Sequence, residues 1–131
     1  MTSKLDKILC IDDDPDILAI TQIALEVLGG YTLRTCTGGD EGIRQSADWQ
    51  PDLIICDVMM PELDGMATLK LLRENRSTAQ IPLVFLTARV EKAEMEEYRR
   101  LGADGVIEKP FDVEALPNEV QNVWKQLAAH A

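Results

Sequence analysis

The stretch Asp52-Leu53-Ile54-Ile55-Cys56-Asp57 decides how this chain folds. Its apolar run is short for a helix and offers no polar face. Such a run reads as a β-strand buried on both sides, the mark of a parallel sheet covered by helices. It then stops at an acid. Working outward, the same design recurs. Lys7-Ile8-Leu9-Cys10-Ile11 stops at Asp12-Asp13-Asp14, Pro82-Leu83-Val84-Phe85-Leu86 stops at Thr87, and Gly105-Val106-Ile107-Glu108 stops at Lys109-Pro110-Phe111. Tyr31-Thr32-Leu33-Arg34-Thr35-Cys36 reads as one more strand.

Helical segments fill the intervals. Asp14 is placed to cap a helix with Pro15 in its first position, and Gly29-Gly30 ends it. Ile17, Ile20, Ala24 and Val27-Leu28 predict its buried stripe. A short helix is expected from about Asp40 to Ala47, and another after the loop Met59–Gly65, carrying Met66, Leu69 and Leu72. A polar helix spans Lys92 to Leu101, and the last runs from about Asp112 to Ala129. Pro117 falls inside that last span, so the helix either begins irregularly or begins near Pro117 itself. Strict β/α alternation predicts an α/β doubly wound parallel sheet, and right-handed crossovers favour the strand order 2-1-3-4-5.

The 131 residues suffice for one domain, expected over residues 5–129 with no separate output domain. Thirteen Lys and Arg face 23 Asp and Glu, a net charge of −10 and a pI near 4.4. This field repels phosphate backbones and anionic bilayers, and argues against direct nucleic-acid or membrane binding. No apolar run approaches the ~20 residues of a membrane span. Cys10, Cys36 and Cys56 lack metal-ligand spacing, and the first and last sit in apolar runs. They read as reduced core residues and, without a signal peptide, point to the cytoplasm.

Chemistry concentrates at one edge. In an open α/β sheet the carboxyl ends of the strands line a single crevice, where ligands bind. With strands 1 and 3 adjacent, Asp12, Asp13 and Asp57 converge, and Thr87 and Lys109 sit on the same rim. Taken singly, each has an ordinary reading as a turn, cap or solvated loop residue. Jointly they are hard to explain that way. Two like charges ~4 Å apart repel by about 4 kcal/mol at an effective dielectric near 20, so three carboxylates demand a proton or a cation. A hard divalent ion with oxygen ligands meets the need. Mg²⁺ fits best because it takes one or two carboxylates, keeps water and recruits phosphate, whereas zinc lacks His or Cys ligands here. A carboxylate beside Mg²⁺, a hydroxyl and an amine makes a phosphoryl-transfer site. Asp57 is its nucleophile, Lys109 its counter-charge and Thr87 its hydrogen-bond donor.

The segments 8–14, 51–61, Leu63-Asp64-Gly65, Leu86-Thr87-Ala88 and Lys109-Pro110-Phe111 resemble, in order, the signature set of bacterial two-component response-regulator receiver domains of the single-domain, chemotaxis-regulator-like kind. The resemblance covers about residues 5 to 127. It implies a flavodoxin-like (βα)5 fold and Asp57 as phosphoacceptor. Asp13 and Asp57 would be direct Mg²⁺ ligands, Asp12 would act largely through water, and the Met59 backbone carbonyl would complete the set. It also implies phosphoryl contacts from Thr87, the Ala88 backbone and Lys109, and a cis bond between Lys109 and Pro110. The phosphodonor would be a sensor histidine kinase or histidine phosphotransfer protein. The output face would be helix 4, strand 5 and helix 5, on a monomer or a phosphorylation-linked dimer. The chain's single histidine, His130, reads as a solvated tail residue rather than a donor.

Three positions depart from the pattern. Val106 stands where many receivers carry an aromatic that turns inward when the threonine moves, so the usual coupling cannot operate; as a residue it reads as ordinary strand core. The resemblance implies that the side chains of Met59 and Arg89 flank the hydrolytic water; Met59 cannot orient water and Arg89 could contact or shield the phosphoryl group, which predicts slow self-dephosphorylation. Trp124 is equally compatible with a partner contact and with sealing the last helix onto the sheet. Two other classes compete. A haloacid-dehalogenase-type phosphohydrolase needs a second Asp two residues after the nucleophile, where this chain has Met59. A degenerate binding module would not retain the full Asp/Asp/Asp/Thr/Lys set.

Overall fold

Leu53–Cys56 forms the central strand β3, with all four side chains buried. Around it lie β1 (Lys7–Ile11), β2 (Thr32–Cys36), β4 (Leu83–Thr87) and β5 (Gly105–Glu108), all parallel, in the order β2-β1-β3-β4-β5. The structure is a computed structural model and describes residues 4–129, so His130 lies outside it.

Alternate residues of each strand face opposite ways and build two cores. Ile8, Cys10, Leu53, Ile55, Val84 and Leu86 meet helices α1 (Pro15–Gln22) and α5 (Leu116–Ala129) on one side. Leu9, Ile11, Ile54, Cys56, Leu83 and Phe85 meet α2 (Gly39–Trp49), α3 (Gly65–Glu74) and α4 (Lys92–Leu101) on the other. Cys10, Cys36 and Cys56 are free and buried, as expected. Among the described residues no helix is long and apolar enough to cross a membrane.

The first helix corrects its expected face. Asp14 caps it, accepting the Asp16 N–H at 2.9 Å, with Pro15 in the first turn. Of the predicted stripe, however, only Ala24 is buried. Leu18, Thr21 and Leu25 line the core with it, while Ile20, Ile23, Val27 and Leu28 face outward. This segment carries apolar residues on most of its circumference, so 3.6-residue periodicity does not select a side. The chain also widens into a π-helical stretch over Ile23–Leu28, which turns later residues off the α-helical register.

The last helix resolves as one of the two expected starts. The Asp112 carbonyl accepts the N–H groups of Ala115 and Leu116 in a preceding turn, and α5 proper begins at Leu116. Pro117 therefore falls in the first helical turn, where its missing N–H has no partner to lose. Trp124 is buried with Leu116 and Val120, so it seals α5 onto the sheet.

Candidate functional site

The register brings the acidic residues together. Ile11 lies opposite both Cys36 and Cys56 across β1, so the residues that follow emerge side by side. Two ladder bonds extend the pairing past the strand ends: the Asp57 N–H donates to the Ile11 carbonyl at 2.9 Å, and the Asp12 N–H to the Cys36 carbonyl at 3.0 Å. Asp12, Asp13 and Asp57 consequently offer carboxylate oxygens within 4.8 Å of one another. Asp12 and Asp57 are buried and Asp13 is exposed, so the cluster opens to solvent on one side.

Lys109 arrives from the end of β5, whose N–H donates to the Thr87 carbonyl at 2.9 Å. Its Nζ sits 2.9 Å from Asp12 Oδ2 and 3.5 Å from Asp57 Oδ1. The Lys109-Pro110 bond is cis, as the resemblance implied. Burial works against the Lys109 charge, but hydrogen bonding and attraction to Asp12 and Asp57 outweigh it and hold the amine above its ordinary pKa. Burial, followed by repulsion from Asp12, pushes the Asp57 carboxyl up, while Lys109 and the Met59 N–H oppose the rise. Asp57 is thus a carboxylate held in an unfavourable field.

In the metal-free protein Asp57→Asn is expected to raise stability by about 1 kcal/mol near neutral pH. A carboxyl raised in the folded state binds its proton more tightly there than when unfolded. The advantage should therefore shrink as pH falls through that raised value toward the ordinary carboxylate range. Urea unfolding near pH 7 and near pH 4 checks both signs.

The loop beyond Asp57 is held by close backbone packing. Gly65 opens α3 with its N–H donating to the Val58 carbonyl at 2.8 Å, and a Cβ there would lie 2.1 Å from the Asp57 carbonyl oxygen. Asp64 caps the helix, accepting the Ala67 N–H at 2.8 Å. Across the pocket, Thr87 is buried at the end of β4 and its Oγ1 accepts the Arg89 N–H at 3.0 Å.

The remaining expected positions are more peripheral. Ala88 is exposed on the rim. The Met59 side chain is exposed, and its N–H donates to Asp57 Oδ1 at 3.3 Å. The Arg89 guanidinium pairs with Glu94 at 3.5 Å. Val106 is half-buried beside Phe85 in the sheet. One residue escaped the sequence reading: Tyr98 of α4 is buried against Phe85, with ring centroids 5.0 Å apart. The available signal was a lone aromatic in a polar helix, spaced with Met95 and Leu101 on one face.

The carboxylate set suits a hard cation. It supplies only oxygen donors, carries excess negative charge, and leaves one side open for retained water.

Comparison with known proteins agrees with this geometry. The response regulator receiver domain family matches residues 8–121. The DNA-binding dual master transcriptional regulator RpaA of Synechocystis sp. is 38% identical over 93% of this chain and 50% of its own length. The alkaline phosphatase synthesis transcriptional regulatory protein PhoP of Bacillus subtilis is 38% identical over 92% of this chain and 49% of its own. The chain thus spans about half the length of these two relatives. The chemotaxis response regulator CheY4 of Vibrio cholerae superposes with a TM-score of 0.84 at 29% identity, covering 92% of this chain and 99% of that one. Matched span, relatives and sheet order converge, and the chain belongs to the response regulator receiver domain family, whose general function is phosphorylation-dependent signalling.

Proposed function

We propose that this chain is a switch that receives a phosphoryl group on Asp57 from a phosphohistidine of a sensor kinase or histidine phosphotransfer protein. The observation that carries the reading is the acidic trio within 4.8 Å, with Lys109 bridging Asp12 and Asp57. An Asp57 carboxylate oxygen attacks phosphorus in line, and the bond from phosphorus to the donor's imidazole nitrogen breaks. The electron pair returns to that nitrogen, leaving an aspartyl phosphate. Lys109 offsets charge on the transferred oxygens and Thr87 donates to one of them, with the Ala88 N–H as a further donor. Asp13 and Asp57, the Met59 carbonyl and, through water, Asp12 would hold Mg²⁺. When bound, that ion supplies the positive charge that lets a phosphate approach three acids.

An apolar groove lined by Ile17, Ile20, Pro110, Phe111 and Val113 runs up to Lys109 and offers a docking face for the donor protein. The switched surface is read as α4, β5 and α5, on a monomer or a phosphorylation-linked dimer. The receiver unit is taken as residues 5–129 and is expected to work in the cytoplasm, without direct contact to nucleic acid. Receivers are phosphoacceptor switches rather than enzymes of a separate substrate; self-phosphorylation from small donors and slow self-dephosphorylation are the only turnover expected.

The test is incubation with acetyl phosphate and Mg²⁺ followed by intact mass. Wild type should gain one phosphoryl group and Asp57→Asn none. Equal gain in both proteins, or none in either, overturns the assignment of Asp57; continuous phosphate release from varied esters would indicate a phosphohydrolase. A second expectation concerns lifetime. Met59 offers no group to orient water, so Met59→Asn should shorten the aspartyl phosphate by roughly threefold or more. An unchanged decay in pulse-chase would contradict this role.

A further inference from the structure

Receiver signalling needs a route from the pocket to the outer surface, and this chain lacks an aromatic on β5 to carry it. Val106 lies opposite Phe85 in the β4–β5 register. The ring that packs on Phe85 comes instead from α4: Tyr98 is 2% exposed, tilted 59° against Phe85 at 5.0 Å. Val106 and Tyr98 belong to the same apolar cluster and flank the same phenylalanine. A large ring at position 106 would compete with Tyr98 for that volume, so the small Val106 and the large Tyr98 form a matched pair.

The polar end of Tyr98 is placed as tightly as its ring. Its hydroxyl donates to the Arg89 carbonyl at 2.7 Å. The N–H of the same Arg89 donates to Thr87 Oγ1 at 3.0 Å. The two polar groups of one loop residue therefore join the Thr87 hydroxyl to the Tyr98 phenol. The loop is tied to α4 a second time, by Arg89 to Glu94 and by the reciprocal capping of Glu91 and Glu94.

We infer that Tyr98 is the residue that couples Thr87 to α4, replacing the missing β5 aromatic with a ring rooted in the output helix itself. The inference rests on the proposed phosphorylation of Asp57. A threonine hydroxyl has one hydrogen to donate. When a phosphoryl oxygen on Asp57 takes it, Thr87 turns toward the phosphate and the loop held to its Oγ1 by the Arg89 N–H is drawn with it. The buried Tyr98 hydroxyl has the Arg89 carbonyl as its acceptor, and leaving it without one is costly, so the tyrosine follows the loop. Because the ring grows from α4, its displacement moves the helix rather than a single side chain.

The chain has two tyrosines, Tyr31 and Tyr98. With 3-fluorotyrosine incorporated, each gives a fluorine resonance, assigned through Tyr31→Phe. Saturation with Mg²⁺ and beryllofluoride, a phosphoryl mimic, should shift the Tyr98 signal and leave Tyr31 in place. Amide spectra should show wild-type shifts across residues 92–101, reduced by about half or more in Tyr98→Phe. Phosphoryl uptake by that variant should stay within about threefold of wild type, since the phenol touches none of the reacting groups. An unmoved Tyr98 resonance in the saturated wild type, or an undiminished α4 response in Tyr98→Phe, overturns the inference while leaving Asp57 phosphorylation intact. The fluorine measurement uses wild-type packing and stands even if Tyr98→Phe fails to fold. If beryllofluoride shifts no amide at all, including those beside Asp57, both the inference and the reading beneath it fall.

Discussion

Lys109→Met is expected to lower the stability of the metal-free protein by about 3 kcal/mol near neutral pH, the low end of the cost of breaking a buried ion pair. Methionine keeps an apolar stem of similar length, so the change isolates the charge. Lys109 Nζ lies 2.9 Å from Asp12 and 3.5 Å from Asp57, both carboxylates being buried. Without the amine, two anions face each other with only solvent on the Asp13 side to screen them. Millimolar Mg²⁺ should restore much of the loss, because the same oxygens can share a divalent charge. Acid should restore part of it as well: Asp57 binds its proton more readily in the folded protein than its ordinary value of 3.8 would allow, so repulsion fades as pH falls through the raised value. Alkali acts oppositely on the wild type. The Lys109 contribution is complete below the ordinary 10.5 and is lost only as pH rises through its raised folded value. Urea midpoints with and without Mg²⁺ decide the matter; a loss below about 1 kcal/mol that ignores the metal would mean the amine is merely solvated.

Gly65→Ala should cost about 2–3 kcal/mol and should also impair phosphoryl uptake. The new methyl would meet the Asp57 carbonyl oxygen at 2.1 Å, the Val58 Cα at 2.7 Å and the Asp57 carbonyl carbon at 2.9 Å. All three are backbone atoms of the segment that carries Asp57, so relief requires moving Asp57 or the start of α3. Gly102→Ala provides the contrast. Gly102 has a φ of +103° but a Cβ there would make only ordinary contact, with Arg73 at 3.5 Å, so its replacement strains only the C-terminal cap of α4, at about 1 kcal/mol, and leaves Asp57 in place. Denaturation midpoints should fall in both variants, and the rate of mass gain from acetyl phosphate should fall only in Gly65→Ala.

The parts of this architecture legible in sequence were those where the surroundings leave a residue little choice. A central parallel strand must be apolar on both faces, so Leu53–Cys56 and Leu83–Leu86 read cleanly, and their polar successors stand out at Asp57 and Thr87. The convergence of Asp12, Asp13 and Asp57 followed from strand order alone. Helix faces were less legible. Residues 17–28 are apolar nearly all round, and a π-helical stretch alters their phase, so the exposed Ile20 and Val27 and the buried Leu18 and Leu25 had to be seen. The partners of long side chains were also hidden: nothing in Lys109-Pro110 states that the amine reaches Asp12 rather than water. Tyr98 was missed because its burial comes from packing on Phe85, a neighbour only in three dimensions.

The position of β3 gives the pocket an asymmetry in compliance. β3 is flanked on both edges, by β1 and β4, whereas β5, like β2, has one neighbour and ends the sheet. Amides on β3 should therefore exchange with solvent only through global opening, while those of β5 and the loop after β4 exchange through smaller, cheaper fluctuations. Asp57 stands on the anvil, and Thr87 and Lys109 stand on the hinged side. Any rearrangement around a modified Asp57 should thus be one-sided, with Lys109 closing on a stationary carboxylate and the interior strands β1 and β3 serving as the fixed frame.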